Sequence, residues 1–183
     1  MMPTTLVVLP DLLGSRVTIL VCGTAVGERS RSLGAYYAGR GNKFWKTLYA
    51  IGLTDRLLAP SEWRDLAGYG IGLTDLCKTE DGMDRRLAAS AFDVQGFKEK
   101  LAGIRPLAVA FNGLKAARVF YGNNAVSYGR QPTSDGMEFW VMPSTSGAAN
   151  ACWDISVWQQ LAASRGAAGA HASVVPDRSD LRH

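Results

Sequence analysis

The chain has 183 residues, 47% of them hydrophobic, which suits one folded domain with a full core and excludes a disordered chain. Its formal net charge of +4 permits an anionic partner without demanding one. Both histidines, His171 and His183, fall near the C-terminal end, so a Ser-His-Asp or Cys-His mechanism has no core histidine to use.

Residues Met1 to Pro10 have no basic flank before their apolar residues and read poorly as a secretion signal. No apolar stretch approaches the length of a bilayer span. Cys22, Cys77 and Cys152 are far apart and offer no CxxC spacing, so neither a metal nor an iron–sulfur cofactor is expected. An odd, dispersed cysteine count fits a reducing cytoplasm.

Val17 to Cys22 is the first near-continuous apolar run, and it opens into Gly23-Thr24-Ala25-Val26-Gly27. Such a strand-to-loop junction of small residues lets a backbone approach a ligand closely. Arg29, Arg31, Arg40, Lys43 and Lys46 follow as a basic stretch, read either as a solvated helix face or as a surface for phosphates. Phe44, Leu48 and Ile51 share one helical face, with Gly52 as the stop. Ile71-Gly72-Leu73 is a weaker strand ending at Thr74-Asp75. Phe97, Leu101 and Ile104 share a second helical face; Ser90 with Asp93 three residues later predicts its start, and Gly96 weakens its interior. Leu107 to Phe111 is another buried-type strand, ending at Asn112-Gly113, with a helix over Leu114 to Phe120. Phe139 to Met142 opens into Pro143-Ser144-Thr145-Ser146-Gly147, and Trp153 to Ala163 reads as the last helix. From Gly166 onward the core pattern is lost, which predicts one domain over residues 1–165 and a flexible tail over 166–183.

Strands alternating with helices predict a three-layer α/β/α domain with a short, mostly parallel central sheet. Ligands of such sheets bind beyond the carboxyl ends of the strands, so the four polar junctions should gather along one edge. Two small-residue junctions with aromatics between them suit a flat ring beside a phosphate chain. There is no GxxxxGK[ST], and Gly68, Gly70 and Gly72 lie before or within a strand when a dinucleotide fingerprint should follow one.

The pieces CGTAVG at 22–27, YYA at 36–38, NKFW at 42–45, GLTD at 72–75, FNGLKA at 111–116 and PSTSGAAN at 143–150 run in an order that resembles the uracil-DNA glycosylase superfamily. The resemblance spans roughly residues 17 to 164 and is nearest the mismatch-specific uracil/thymine-DNA and hypoxanthine-DNA glycosylase branches. It implies a monofunctional enzyme that flips a deaminated base (uracil, and also hypoxanthine or xanthine) out of DNA and hydrolyses its N-glycosidic bond without metal or cofactor. DNA is the implied partner, met in the cytoplasm at the nucleoid, by a monomer with no membrane contact.

The resemblance also implies roles. Gly23, Thr24, Ala25, Tyr37, Asn112 and Ser144 would contact the base, with Tyr37 supplying the stacking surface. Asn42 and Asp75 would carry catalysis, and Asp75 could serve as acceptor for a ring N–H or orient the water. Arg40, Lys43, Ser146, Gly147 and Asn150 would face DNA. Without the resemblance these read as a core tyrosine, a helix N-cap (Asn42), turn residues (Asp75, Asn112) and an ordinary turn (Ser144 to Gly147). The chain departs from the mismatch-specific pattern at Ala25, where a water-positioning Asn is usual, and at Val26, which replaces a proline. Gly39 and Met142 stand where some relatives carry His or other polar residues. The alternative is therefore a catalytically weak or inactive protein that only recognises lesions or abasic sites.

Overall fold

The computed structural model describes residues 8–79 and 89–166. Five strands form one sheet: β1 (Ile19–Gly23), β2 (Ile71–Asp75), β3 (Ala108–Asn112), β4 (Gly129–Ser134) and β5 (Met137–Met142), in the order β2-β1-β3-β5-β4. Neighbours among β2, β1, β3 and β5 pair in parallel, and β4 is antiparallel to β5. This is the expected three-layer α/β fold with a mostly parallel sheet.

The four parallel strands are short, apolar and buried because both faces are covered. Alternation along each strand sorts the core into two layers. Ile19, Val21, Leu73, Ala110, Trp140 and Met142 face helices α2 (Phe44–Ala50) and α5 (Ser156–Ser164) together with a 3-10 stretch at Pro60–Tyr69. Leu20, Cys22, Val109, Phe111, Phe139 and Val141 face α3 (Val94–Ile104) and α4 (Leu114–Tyr121). A short helix α1 (Glu28–Leu33) follows β1.

Several expectations need correction. The third strand is displaced by one residue: Leu107 is exposed and Asn112 closes the strand. The α3 helix begins at Val94, because the Asp93 carboxylate itself accepts from the Gly96 N–H at 2.8 Å, while Ser90 lies in a separate 3-10 turn. Gly96 belongs to that cap, since an added Cβ would fall 2.2 Å from Asp93 Oδ2. The last helix starts at Ser156, whose N–H is taken by Asp154, after a 3-10 turn over Gly147–Cys152. Strand β4 was not anticipated. It is polar and mostly exposed, and carries Pro132, as an edge strand can. Its signal was Asp135-Gly136, both at positive φ, a two-residue hairpin turn between Ser134 and Met137.

Residues 8–12 run along the edge of the sheet. Leu12 exchanges backbone hydrogen bonds with Leu73 and covers the open edge of β2. The expected tail, beyond Gly166, and both histidines lie outside the described residues. Among the described residues no helix is long and apolar enough to cross a membrane.

Candidate active site

The parallel register brings the carboxyl ends of the four buried strands level: Gly23 of β1 pairs with Asp75 of β2, and Asn112 of β3 with Met142 of β5. Above them opens a cavity of about 680 Å³. Gly23, Thr24, Ala25, Tyr37, Asn42, Asp75, Asn112, Ser144 and Ser146 all line it. Arg40, Lys43, Gly147 and Asn150 do not, and lie at its margin.

Asp75 is the buried charge of the site, 4% exposed. Its Oδ1 lies over Gly23, where an added Cβ would come within 2.5 Å, so glycine leaves the space that the carboxylate occupies. Its Oδ2 is 3.8 Å from Lys78 Nζ. Burial first, and then the Asp75 charge, push the Tyr37 phenol and the Cys22 thiol far above their ordinary ranges, so both remain neutral.

Tyr37 adopts the left-handed backbone conformation, φ +53. A non-glycine residue there costs on the order of 1–3 kcal/mol and persists only where its surroundings hold it. Here Ala38 N–H donates to Ser30 Oγ at 2.9 Å and Arg29 donates to the Ala38 carbonyl at 3.2 Å. The Tyr37 ring rests on Phe44, centroids 4.1 Å apart, in a residue that is half-buried as a whole. Its hydroxyl is buried; Asn112 beside it opposes the upward shift of the phenol without closing a hydrogen bond of normal geometry.

Asn42 accepts the Phe44 N–H at 3.0 Å through Oδ1, which fixes the amide orientation and turns Nδ2 into its remaining donor group. Asn42 is not the N-cap expected of it: Lys43 holds that position, and the Asn42 bond to Phe44 closes a turn just before the helix. Asn112 is engaged from both ends of its amide. Thr145 N–H donates to Oδ1 at 3.0 Å, and Nδ2 donates to Thr145 Oγ1 at 2.9 Å. It is a strut between β3 and the Ser144–Gly147 loop, with one N–H and one lone pair left over. The same loop is tied to α2 by Lys43 N–H donating to the Thr145 carbonyl, and to α5 by the Trp158 indole donating to Pro143. Replacing Asn112 by Ala leaves two polar groups of the buried Thr145 unmatched. We expect a loss of about 1–3 kcal/mol in urea denaturation, with Asn112→Asp recovering part of it.

At the margin, Gly147 packs on the Arg40–Gly41 turn, where an added Cβ would meet the Arg40 carbonyl at 3.2 Å. Lys43 Nζ donates to Asn150 Oδ1 and sits 5.2 Å from the centre of the Trp153 ring. Asn150 therefore braces the residue that leads into α2, while the first N–H of the last helix, on Ser156, is taken by Asp154. The cavity also includes Ser30, Lys115, Tyr128 and Cys152, which the sequence reading did not assign. Lys115 lies within the FNGLKA piece and was overlooked there; nothing local marks Tyr128. Among the described residues no group of three or more His, Cys, Asp or Glu side chains is placed to hold a metal ion.

Residues 10–162 match the family described as the Uracil DNA glycosylase superfamily. Among solved structures, the chain is similar to a candidate uracil DNA glycosylase from Methanosarcina acetivorans determined by solution NMR. The two are 26% identical and superpose with a TM-score of 0.59, over 84% of this chain and 94% of that one.

Proposed function

Because the chain belongs to the uracil DNA glycosylase superfamily, we propose that it excises uracil from DNA by base flipping, leaving an abasic site, with hypoxanthine and xanthine as further substrates. The observation that carries this reading is the single cavity in which Tyr37, Asn42, Asp75 and Ser144 meet at the ends of four strands. The sequence pieces nearest the mismatch-specific and hypoxanthine branches support the choice of bases.

A flipped base loses its stacking in the duplex, and the Tyr37 ring on the cavity wall replaces it, backed by Phe44. Asn42 Nδ2 donates to a ring carbonyl, which gains negative charge as the base departs. Ser144, whose Oγ accepts from the Ser146 N–H at 3.3 Å, has its own O–H left to donate at the same edge. Asp75 takes the task that Ala25 cannot perform. Its Oδ1 lies over the first motif, and a carboxylate there holds the attacking water and offsets the positive charge developing on the sugar. The water oxygen bonds to C1′ as the C1′–N bond breaks. The base leaves with that electron pair and is protonated from solvent, while the water's proton passes to Asp75 and on to solvent. Arg40 and Lys115 at the rim neutralise phosphates, and Lys43 holds the Asn150 segment beside them.

The test is direct. Incubated with a duplex carrying one uracil and then treated with alkali, the protein is expected to yield a strand break at that position, and to need no added metal. DNA that is retained yet uncut would instead assign the protein to lesion recognition, consistent with the apolar side chain at position 25.

A further inference from the structure

Behind Asp75 lies a cluster of ions that none of the motif residues accounts for. Lys78 Nζ is 2.9 Å from Asp11 Oδ1 and 3.8 Å from Asp75 Oδ2. It also donates to the Tyr36 hydroxyl at 3.0 Å, which in turn donates to the Pro10 carbonyl. Asp11 Oδ1 also accepts from the Thr74 hydroxyl at 2.7 Å, and its Oδ2 is held by Lys100 of α3 at 2.7 Å. The Lys78 side chain is 14% exposed and that of Asp11 15%. Val8 N–H bonds the Lys78 carbonyl, so residues 8–12 and the loop after β2 are clasped together.

Largely burying three ions, Asp11, Asp75 and Lys78, is a poor means of stabilising a fold, since a well-packed apolar set of the same volume does as well or better. The cluster instead places one positive charge against the oxygen of Asp75 that points away from Gly23. We propose that Lys78 is a positioning residue for Asp75, fixing its carboxylate toward the cavity in the charged form, and that Asp11 sets how much of the Lys78 charge reaches it. The first described segment of the chain, outside all six motif pieces, thereby takes part in the site. This inference rests on the catalytic reading of Asp75 given above.

The groups facing Asp75 fix the sign of the test. Lys78 and, farther off, Lys100 favour its ionised form; Asp11 disfavours it; Tyr36, Tyr37 and Cys22 are held neutral by burial and by Asp75 itself. Asp11 stays ionised because Lys100 and Lys78 outweigh the effect of its own burial. Removing Lys78 therefore raises the pH at which Asp75 takes a proton, and removing the Asp11 charge lowers it. A merely structural role would reduce melting temperature or rate in both variants without opposite movements.

The experiment is a carbon-13 NMR titration of the Asp75 carboxylate in the 183-residue protein, assigned by the signal lost in Asp75→Asn, alongside the pH profile of single-turnover uracil excision. In Lys78→Met we expect the titration and the acid limb of the rate to move up together by about one pH unit or more. In Asp11→Asn both move down, and Lys78→Arg stays near wild type. If Lys78→Met does not fold, the downward movement in Asp11→Asn decides. An Asp75 titration unmoved in folded Lys78→Met, or moved the same way in both variants, overturns the inference. Titrations that move as expected while Asp75→Asn excises normally would leave the electrostatic coupling intact and reject the catalytic reading instead.

Discussion

Asp75→Asn is expected to slow single-turnover excision of uracil by about 10²–10⁴-fold, the range associated with loss of a general base. The substitution keeps the shape of a side chain that is almost fully buried, so Gly23 still fits beneath it. In the proposed mechanism it removes the charge opposite the developing cation and the site that accepts the water's proton. Affinity for a duplex carrying a non-cleavable uracil analogue should change by less than about threefold, because no phosphate contact is lost. A rate within tenfold of wild type would mean that the water is held elsewhere, with Asn42 as the next residue to change. Asparagine is a cleaner probe than alanine, which would open a hole beside Tyr37 and mix packing with chemistry.

Phe44→Ala carries the largest expected effect on stability, about 3–5 kcal/mol, seen as a fall of about 6–20 °C in melting temperature. Phe44 is fully buried and its ring meets Tyr37, Trp45 and Trp158 within 6.4 Å. It joins the core to the site, because it is also the support on which Tyr37 rests in its left-handed conformation. The variant should consequently lose excision even at temperatures where it remains folded, while Phe44→Leu, which refills most of the volume, loses less of both. Equal stability with equal activity would show that the Phe44 contact supports neither. The two substitutions report on different layers: Asp75→Asn changes a charge in an intact frame, and Phe44→Ala changes the frame that holds the Tyr37 ring.

The parts of the fold that could be read in the chain were those encoded locally. Val17 to Cys22, apolar but for Thr18, and Phe139 to Met142, apolar throughout, are runs with few places to go except between two layers of helices. The pairing of Phe44, Leu48 and Ile51 likewise needs only the helical repeat. Strand β4 escaped because its stability comes from β5 and a hairpin turn, while its own residues are polar and exposed. Ser90 and Trp153 misplaced two helix starts because Asp93 and Asp154 close enough to compete were already positioned to take the first free N–H groups.

For the site, the order of short motifs named the side chains: four of the six pieces end or directly follow a strand, and the topology of a parallel sheet sends such positions to one edge, while Tyr37 and Asn42 come from the segment between α1 and α2. Their partners were beyond the reach of sequence. That Asn112 spends both ends of its amide on Thr145, that Lys43 is braced by Asn150, and that Asp11 and Lys78 stand behind Asp75 depend on contacts between residues 3 to 107 positions apart. Local pattern specifies which residue ends a strand. Only the packed chain, by bringing distant charges and amides within hydrogen-bonding distance in a buried setting, decides which of those residues is free to act and which is occupied in holding another.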